Sequence, residues 1–255
     1  MTTNPCSTRR SPRSAGFTLV EMAVVVTLIG ILMAFGLSAA NSWMQGTQRI
    51  VSKDHLAASR DALIAYFTVN HQFPCPDNGG AVVRDGVEDR AGVACATNFG
   101  TLPYLTLGIA RELALDGYGN YLSYRLDVVN NWHRSATFPV GACPAAPPAS
   151  LMVYSAPAVA ETAAAPNAAI FVLISHGPNG FGAWNQGVNN ASRNALPAGA
   201  EELGNTQAAP TAPAGYRDYV YSDTAANPFD DFERHLTFLE LQGVFIKIPR
   251  ANICS

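Results

Sequence analysis

One segment constrains this 255-residue chain more than any other: from Phe17 to Ala40 the only formal charge is Glu21. At ~1.5 Å per residue a helix over this stretch is about 36 Å long, enough to cross a hydrocarbon core of about 30 Å. Arg9, Arg10 and Arg13 precede it, and the next basic residue is Arg49. By the positive-inside rule the N-terminal end stays in the cytoplasm, so everything after about residue 41 is expected on the far side of the membrane. A carboxylate near the edge of such a helix costs about 1–3 kcal/mol unless neutralised, which makes Glu21 a functional residue by default. A secretory signal peptide has a shorter apolar core and a small-x-small cut site. A plain anchor leaves Glu21 unexplained.

The helical pattern does not stop at the membrane edge, because no proline occurs between residue 41 and Pro74. Leu56, Leu63, Ile64 and Phe67 recur on one face, with Lys53, Asp54, Arg60 and Asp61 on the other. A helix from Phe17 to about Val69 is about 80 Å long at ~1.5 Å per residue. Gly30, Gly36 and Gly46 are places where it can bend or melt. Beyond "QFPCPDNGG" the chain changes to short apolar runs broken by Gly, Pro, Asn and Asp, a strand-and-loop texture. The best strand stretches are 121–129, 151–156, 169–175 and 244–250. An antiparallel sheet on the apolar face of the helix gives an α+β fold. Stretches 142–150, 156–167 and 186–215 read as surface loops. The expected divisions are a basic leader (1–16), an apolar half-helix (17–40), an amphipathic half-helix (41–70) and a globular head (71–255).

The chain carries 16 basic and 19 acidic residues; without residues 1–16 the balance is 13 against 19, a net charge of −6. That excess argues against nucleic acid as a specific partner, since phosphate binding rests on Lys and Arg. Cys6 lies in the leader, and Cys75, Cys95, Cys143 and Cys254 remain, an even number suited to two disulfides in an oxidising compartment. Four cysteines allow three pairings, of which Cys75 with Cys95 and Cys143 with Cys254 are expected.

Catalytic signatures are absent from the sequence. "SHGPNGFGAWNQG" (175–187) is neither GxGxxG nor GxxxxGK[ST], and its Pro-Asn-Gly is ordinary turn chemistry. Ser175 and His176 are adjacent in a strand and point to opposite faces, so they do not form a triad. His55, His71, His133, His176 and His235 lack metal-ligand spacing and read as scattered surface residues. The only metal reading is calcium, a hard cation, at Asp223, Asp230 and Asp231 in an oxygen-rich loop. It competes with a solvated acidic loop that caps a helix-like "DDFERHLTFLELQG". Asp77, Asp85, Glu88 and Asp89 form a second acidic group of the same kind.

"GFTLVEM", behind a short basic leader and ahead of an apolar helix, resembles the cleavage and methylation segment of the type IV pilin family, which includes type II secretion pseudopilins. The resemblance implies that a prepilin peptidase cuts between Gly16 and Phe17 and methylates the new amine of Phe17. It implies an assembly role for Glu21. A carboxylate buried among apolar helices needs a cation, and a neighbouring subunit's N-terminal amine supplies one. "TLPYLTLGIARELALDGYGNYLSY" resembles the pseudopilin connection that passes through an Asp-x-x-Gly-Asn turn into the first strand. Some heads of this family carry calcium in a C-terminal loop.

These readings converge on a non-enzymatic filament subunit, a minor pilin or minor pseudopilin. Its expected partners are prepilin peptidase, other pilin or pseudopilin subunits and the inner membrane, which it spans once before the head, in the periplasm, joins a filament. The alternatives are a filament-tip adhesin and a membrane-anchored periplasmic binding protein or enzyme.

Overall fold

The computed structural model describes residues 16–79, 84–135, 151–156, 159–162, 168–187, 192–206, 215–217 and 229–246, with the side chains of 34–41 and 245–246 outside the description. The leader up to residue 15, Cys143, Cys254, Asp223 and the end of the expected strand 244–250 thus lie outside the described residues. The elements in order are α1 (Leu19–Asn70), β1 (Arg90–Ala91), β2 (Ala94–Cys95), β3 (Phe99–Thr101), α2 (Tyr104–Leu107), a 3₁₀ turn (Arg111–Ala114), β4 (Ser123–Leu126), β5 (Val153–Ala156), β6 (Val159–Ala160), β7 (Ala169–Ser175), α3 (Ala200–Asn205), β8 (Tyr216–Arg217), β9 (Phe232–Thr237) and α4 (Phe238–Ile246). The layout is α+β, an N-terminal helix with a mainly antiparallel set of sheets.

The chain divides into two units, one ending at Met44 and the other starting at Gln45, and α1 runs through the division without a break at Gly30 or Gly46. In the first unit the described apolar side chains are exposed: Phe17, Leu19 and Val20 are 80%, 86% and 70% accessible, and Val24, Leu28 and Ile31 about half. Among the described residues no helix is long and apolar enough to cross a membrane.

In the second unit the expected face of α1 is buried, with Leu56, Leu63, Ile64 and Phe67 in one core with the sheet. Phe67 stacks on Phe73 at 4.5 Å, and Phe73 meets Phe171 of β7 edge-on at 5.4 Å. Small hydroxyl residues complete the helix face. Ser59 Oγ donates to Leu113 O at 2.9 Å, and Ser52 Oγ accepts from Gly117 N at 2.9 Å. The four-stranded sheet has the order β3-β4-β7-β9, antiparallel throughout. All seven residues of β7 are buried, so the apolar run Ala169–Ser175 is covered on both faces. A second sheet, β6-β5-β8, pairs β5 antiparallel to β6 and parallel to β8.

The turn into β4 forms as its residues dictate. Asp116 Oδ1 accepts from the backbone N–H of Tyr118 (3.0 Å) and Asn120 (2.9 Å). Gly117 is needed because a Cβ there would lie 2.1 Å from Gln48 O of α1, and Gly119 has φ +84°. The disulfide Cys75–Cys95 is formed. It encloses the second acidic group, whose carboxylates are used on the loop itself. Asp77 accepts from Gly79 N and Gly86 N, Glu88 from Cys75 N, and Asp89 from Asn78 N.

Several expectations need correction. Residues 244–246 belong to α4 rather than a strand, because Phe238, Leu241 and Val244 meet the core at helical spacing. "DDFERHLTFLELQG" accordingly is not one helix but β9 followed by α4, and the stretch 186–215 contains α3. The histidines are not all superficial: His176 is 0% and His133 3% exposed.

Candidate functional site

The N-terminal segment starts with Gly16, Phe17 and Thr18 outside the helix and exposed. Thr18 O accepts the first helical hydrogen bond, from Met22 N at 3.2 Å, so Thr18 is the N-cap of α1. Glu21 N donates to Thr18 Oγ1 at 3.2 Å, while Thr18 N and Thr18 Oγ1 donate to Glu21 Oε2 at 2.9 and 3.0 Å. This reciprocal pair is a capping box, Thr-x-x-Glu, and it satisfies two donors that a helix start otherwise leaves unmet. It folds the Glu21 carboxylate back toward Phe17, the residue that a cut after Gly16 would expose as an amine. Among the described residues no cation is paired with Glu21.

A second group of polar residues lies inside the head. Asp230 and Asp231, just before β9, meet Glu202 of α3; one oxygen from each falls within 4.8 Å of the others and the three residues are buried. Burial foremost pushes the Glu202 carboxyl up to about 7, with the Asp231 and Asp230 charges adding to it. Burial likewise raises Asp230 above its ordinary value. Sequence reasoning missed Glu202, which only the folded chain brings to the two aspartates.

Beside this group, Ser123 Oγ and His176 Nε2 share a hydrogen bond of 2.7 Å, and His176 Nδ1 stands 3.7 Å from Asp231 Oδ1. The order hydroxyl, imidazole, carboxylate is that of a hydrolytic triad. Ser123 and His176 are nonetheless 0% exposed, inside the four-stranded sheet, and no substrate carbonyl can reach Ser123 Oγ. The Ser123 partner was hidden from sequence because it arises from the β4–β7 register, where Ser123 pairs with Ile174. A groove of about 370 Å³ in the head is lined by charges of both signs, including Arg60, Glu161, Glu233, His235 and Glu240.

Residues 11–37 match the family described as the prokaryotic N-terminal methylation motif. No curated protein and no solved structure matches the chain. The matched stretch contains the Gly16–Phe17 bond, the capping box and the exposed apolar start of α1. Residues 11–37 are a prepilin segment of the type IV pilin and pseudopilin type.

Proposed function

We propose that the chain is a structural subunit of a type IV pilus or a type II secretion-like filament, of the minor pilin or minor pseudopilin kind. The observation that carries this reading is the match at 11–37 with Glu21 held at the start of a helix whose described apolar side chains between Leu19 and Met33 are exposed. Prepilin peptidase cuts between Gly16 and Phe17 and methylates the Phe17 amine. The apolar half of α1 holds the precursor in the inner membrane, with the head in the periplasm. Assembly then exchanges lipid contacts for helix contacts between subunits, and Glu21 sets the register by meeting a neighbour's N-terminal amine. A minor role is favoured by the long loop-rich stretches of the head. The chain performs no chemistry of its own in this reading.

The test is to express the chain with and without a prepilin peptidase and sequence the N-terminus of the product. A product starting at Phe17 only when the peptidase is present is expected. An uncut chain, or one starting near Ala40, overturns the reading.

A further inference from the structure

The chain has three tryptophans, Trp43, Trp132 and Trp184. Two are built into the head: Trp132 is 1% and Trp184 7% exposed. Trp132 lies among Phe67, Phe73 and Phe238, and Trp184 lies against Phe99 with the Arg84 guanidinium over its ring. Trp43, on α1, is 75% exposed. Packing in the core explains the first two rings and does not explain the third.

The place of Trp43 along α1 does. The apolar run ends at Ala40; Asn41, Ser42, Gln45, Thr47 and Gln48 follow, and Arg49 is the first charge after Glu21. By Gln48 and Ser52 the helix is fitted to the head, since a Cβ at Gly117 would lie 2.1 Å from Gln48 O and Gly117 N donates to Ser52 Oγ at 2.9 Å. Trp43 thus stands in a short polar stretch between the apolar half of α1 and the half that carries the head. From Leu19 to Trp43 the helix rises about 36 Å at ~1.5 Å per residue. That exceeds a hydrocarbon core of about 30 Å and falls short of the roughly 40–45 Å that includes both headgroup layers. With Leu19 at the cytoplasmic edge of the core, Trp43 lies about 6 Å beyond the opposite edge, and a tilt of about 20° still leaves it outside the core.

We infer that Trp43 docks on the lipid headgroup–acyl boundary at the periplasmic face of the membrane. An indole joins a large apolar body to one N–H donor, and this boundary shelters the body while the donor keeps a polar partner. The core would strand the N–H, and bulk water would leave the ring exposed as it is in the isolated chain. Phe17, 80% exposed, is the aromatic residue at the other end of the span, so the apolar half of α1 carries a ring at each boundary. The inference rests on the reading that this half of α1 lies in the inner membrane.

The experiment uses the full chain reconstituted into phosphatidylcholine–phosphatidylglycerol vesicles and recovered by flotation. The acyl chains of the phosphatidylcholine are unlabelled, brominated near the headgroup end, or brominated near the tail end. Bromine quenches tryptophan at short range, and Trp132 and Trp184 are shielded inside the head, so the signal reports Trp43. The shallow bromines should quench at least about twofold more than the deep ones. Trp43→Tyr, a change at an exposed position, should float as wild type does and lose the quenching. A chain that does not float removes the membrane reading and this inference with it. A floating chain that is quenched more by the deep bromines has its ring in the core, and one quenched by neither has it covered by another copy; each result overturns the inference alone. Quenching that survives in Trp43→Tyr overturns it as well.

Discussion

The chain opens two helices with the same four-residue device. At α1, Thr18 and Glu21 exchange hydrogen bonds of 2.9, 3.0 and 3.2 Å; at α4, Thr237 and Glu240 do so at 2.9, 3.1 and 3.2 Å. In both, one carboxylate oxygen is used up by the cap. The difference lies in the other one. Glu240 Oε1 meets Arg60 Nη2 of α1 at 3.1 Å, so the head closes the charge within the same chain. Glu21 has no such partner among the described residues. The comparison teaches that capping explains why a Glu stands at each position, but not what neutralises it in an apolar setting; for Glu21 that cation comes, in the proposed filament, from another subunit.

Separating cap from charge is the sharpest way to break this comparison. Glutamine can fill the acidic position of a capping box but carries no charge. Glu21→Gln and Glu21→Ala are both expected to be cut after Gly16 yet to enter sheared filament fractions at least about tenfold less than wild type, because a buried pair broken on one side is costly. Should Glu21→Gln assemble at the wild-type level, the cap alone accounts for the residue and the register argument fails. Thr18→Ala makes the opposite cut: the carboxylate stays and its local holder goes. Its filament yield should fall less than that of Glu21→Gln, measured by immunoblot of the same fractions.

At the other helix the effects are smaller and appear as stability. Glu240→Ala removes both cap and ion pair and should cost about 1–2 kcal/mol in urea unfolding. Glu240→Gln keeps the cap and loses only a half-exposed pair, for less than about 1 kcal/mol. Equal losses would mean that Arg60, not the cap, holds the start of α4.

What could be read beforehand was whatever is written in consecutive residues. The spacing of Leu56, Leu63 and Phe67 announced the buried face of α1, the run Ala169–Ser175 announced β7, and Asp116 with two glycines announced the turn into β4. The end of α4 is misread because Val244 and Phe245 look like a strand, and β9 is drawn into a helix-like stretch when the Thr237–Glu240 cap that starts α4 is not weighed. The polar interior could not be read at all. Ser123 and His176 meet through strand register, and Glu202 reaches Asp230 and Asp231 only once α3 is docked through Asn179 and Asn205. No periodicity encodes such contacts.

The environment of Glu240 supplies the last and mildest test. Besides Arg60 it faces His235, whose Nδ1 lies 3.1 Å from Glu233 Oε2 and whose main-chain oxygen accepts from Arg60 Nε at 3.0 Å. Burial alone would lower His235, but the hydrogen bond and charge of Glu233, with Glu161 and Glu240 behind it, raise it to about 8. A histidine raised in the folded state stabilises fully below its unfolded value of about 6.5, and the contribution is lost as pH rises through about 8. The shift corresponds to at most about 2 kcal/mol. Urea unfolding at pH 6 and pH 9 should therefore show a loss of stability at the higher pH that His235→Gln largely abolishes. An identical pH slope in the variant would remove His235 from the set of cations around Glu240 and leave Arg60 as the partner that distinguishes the two caps.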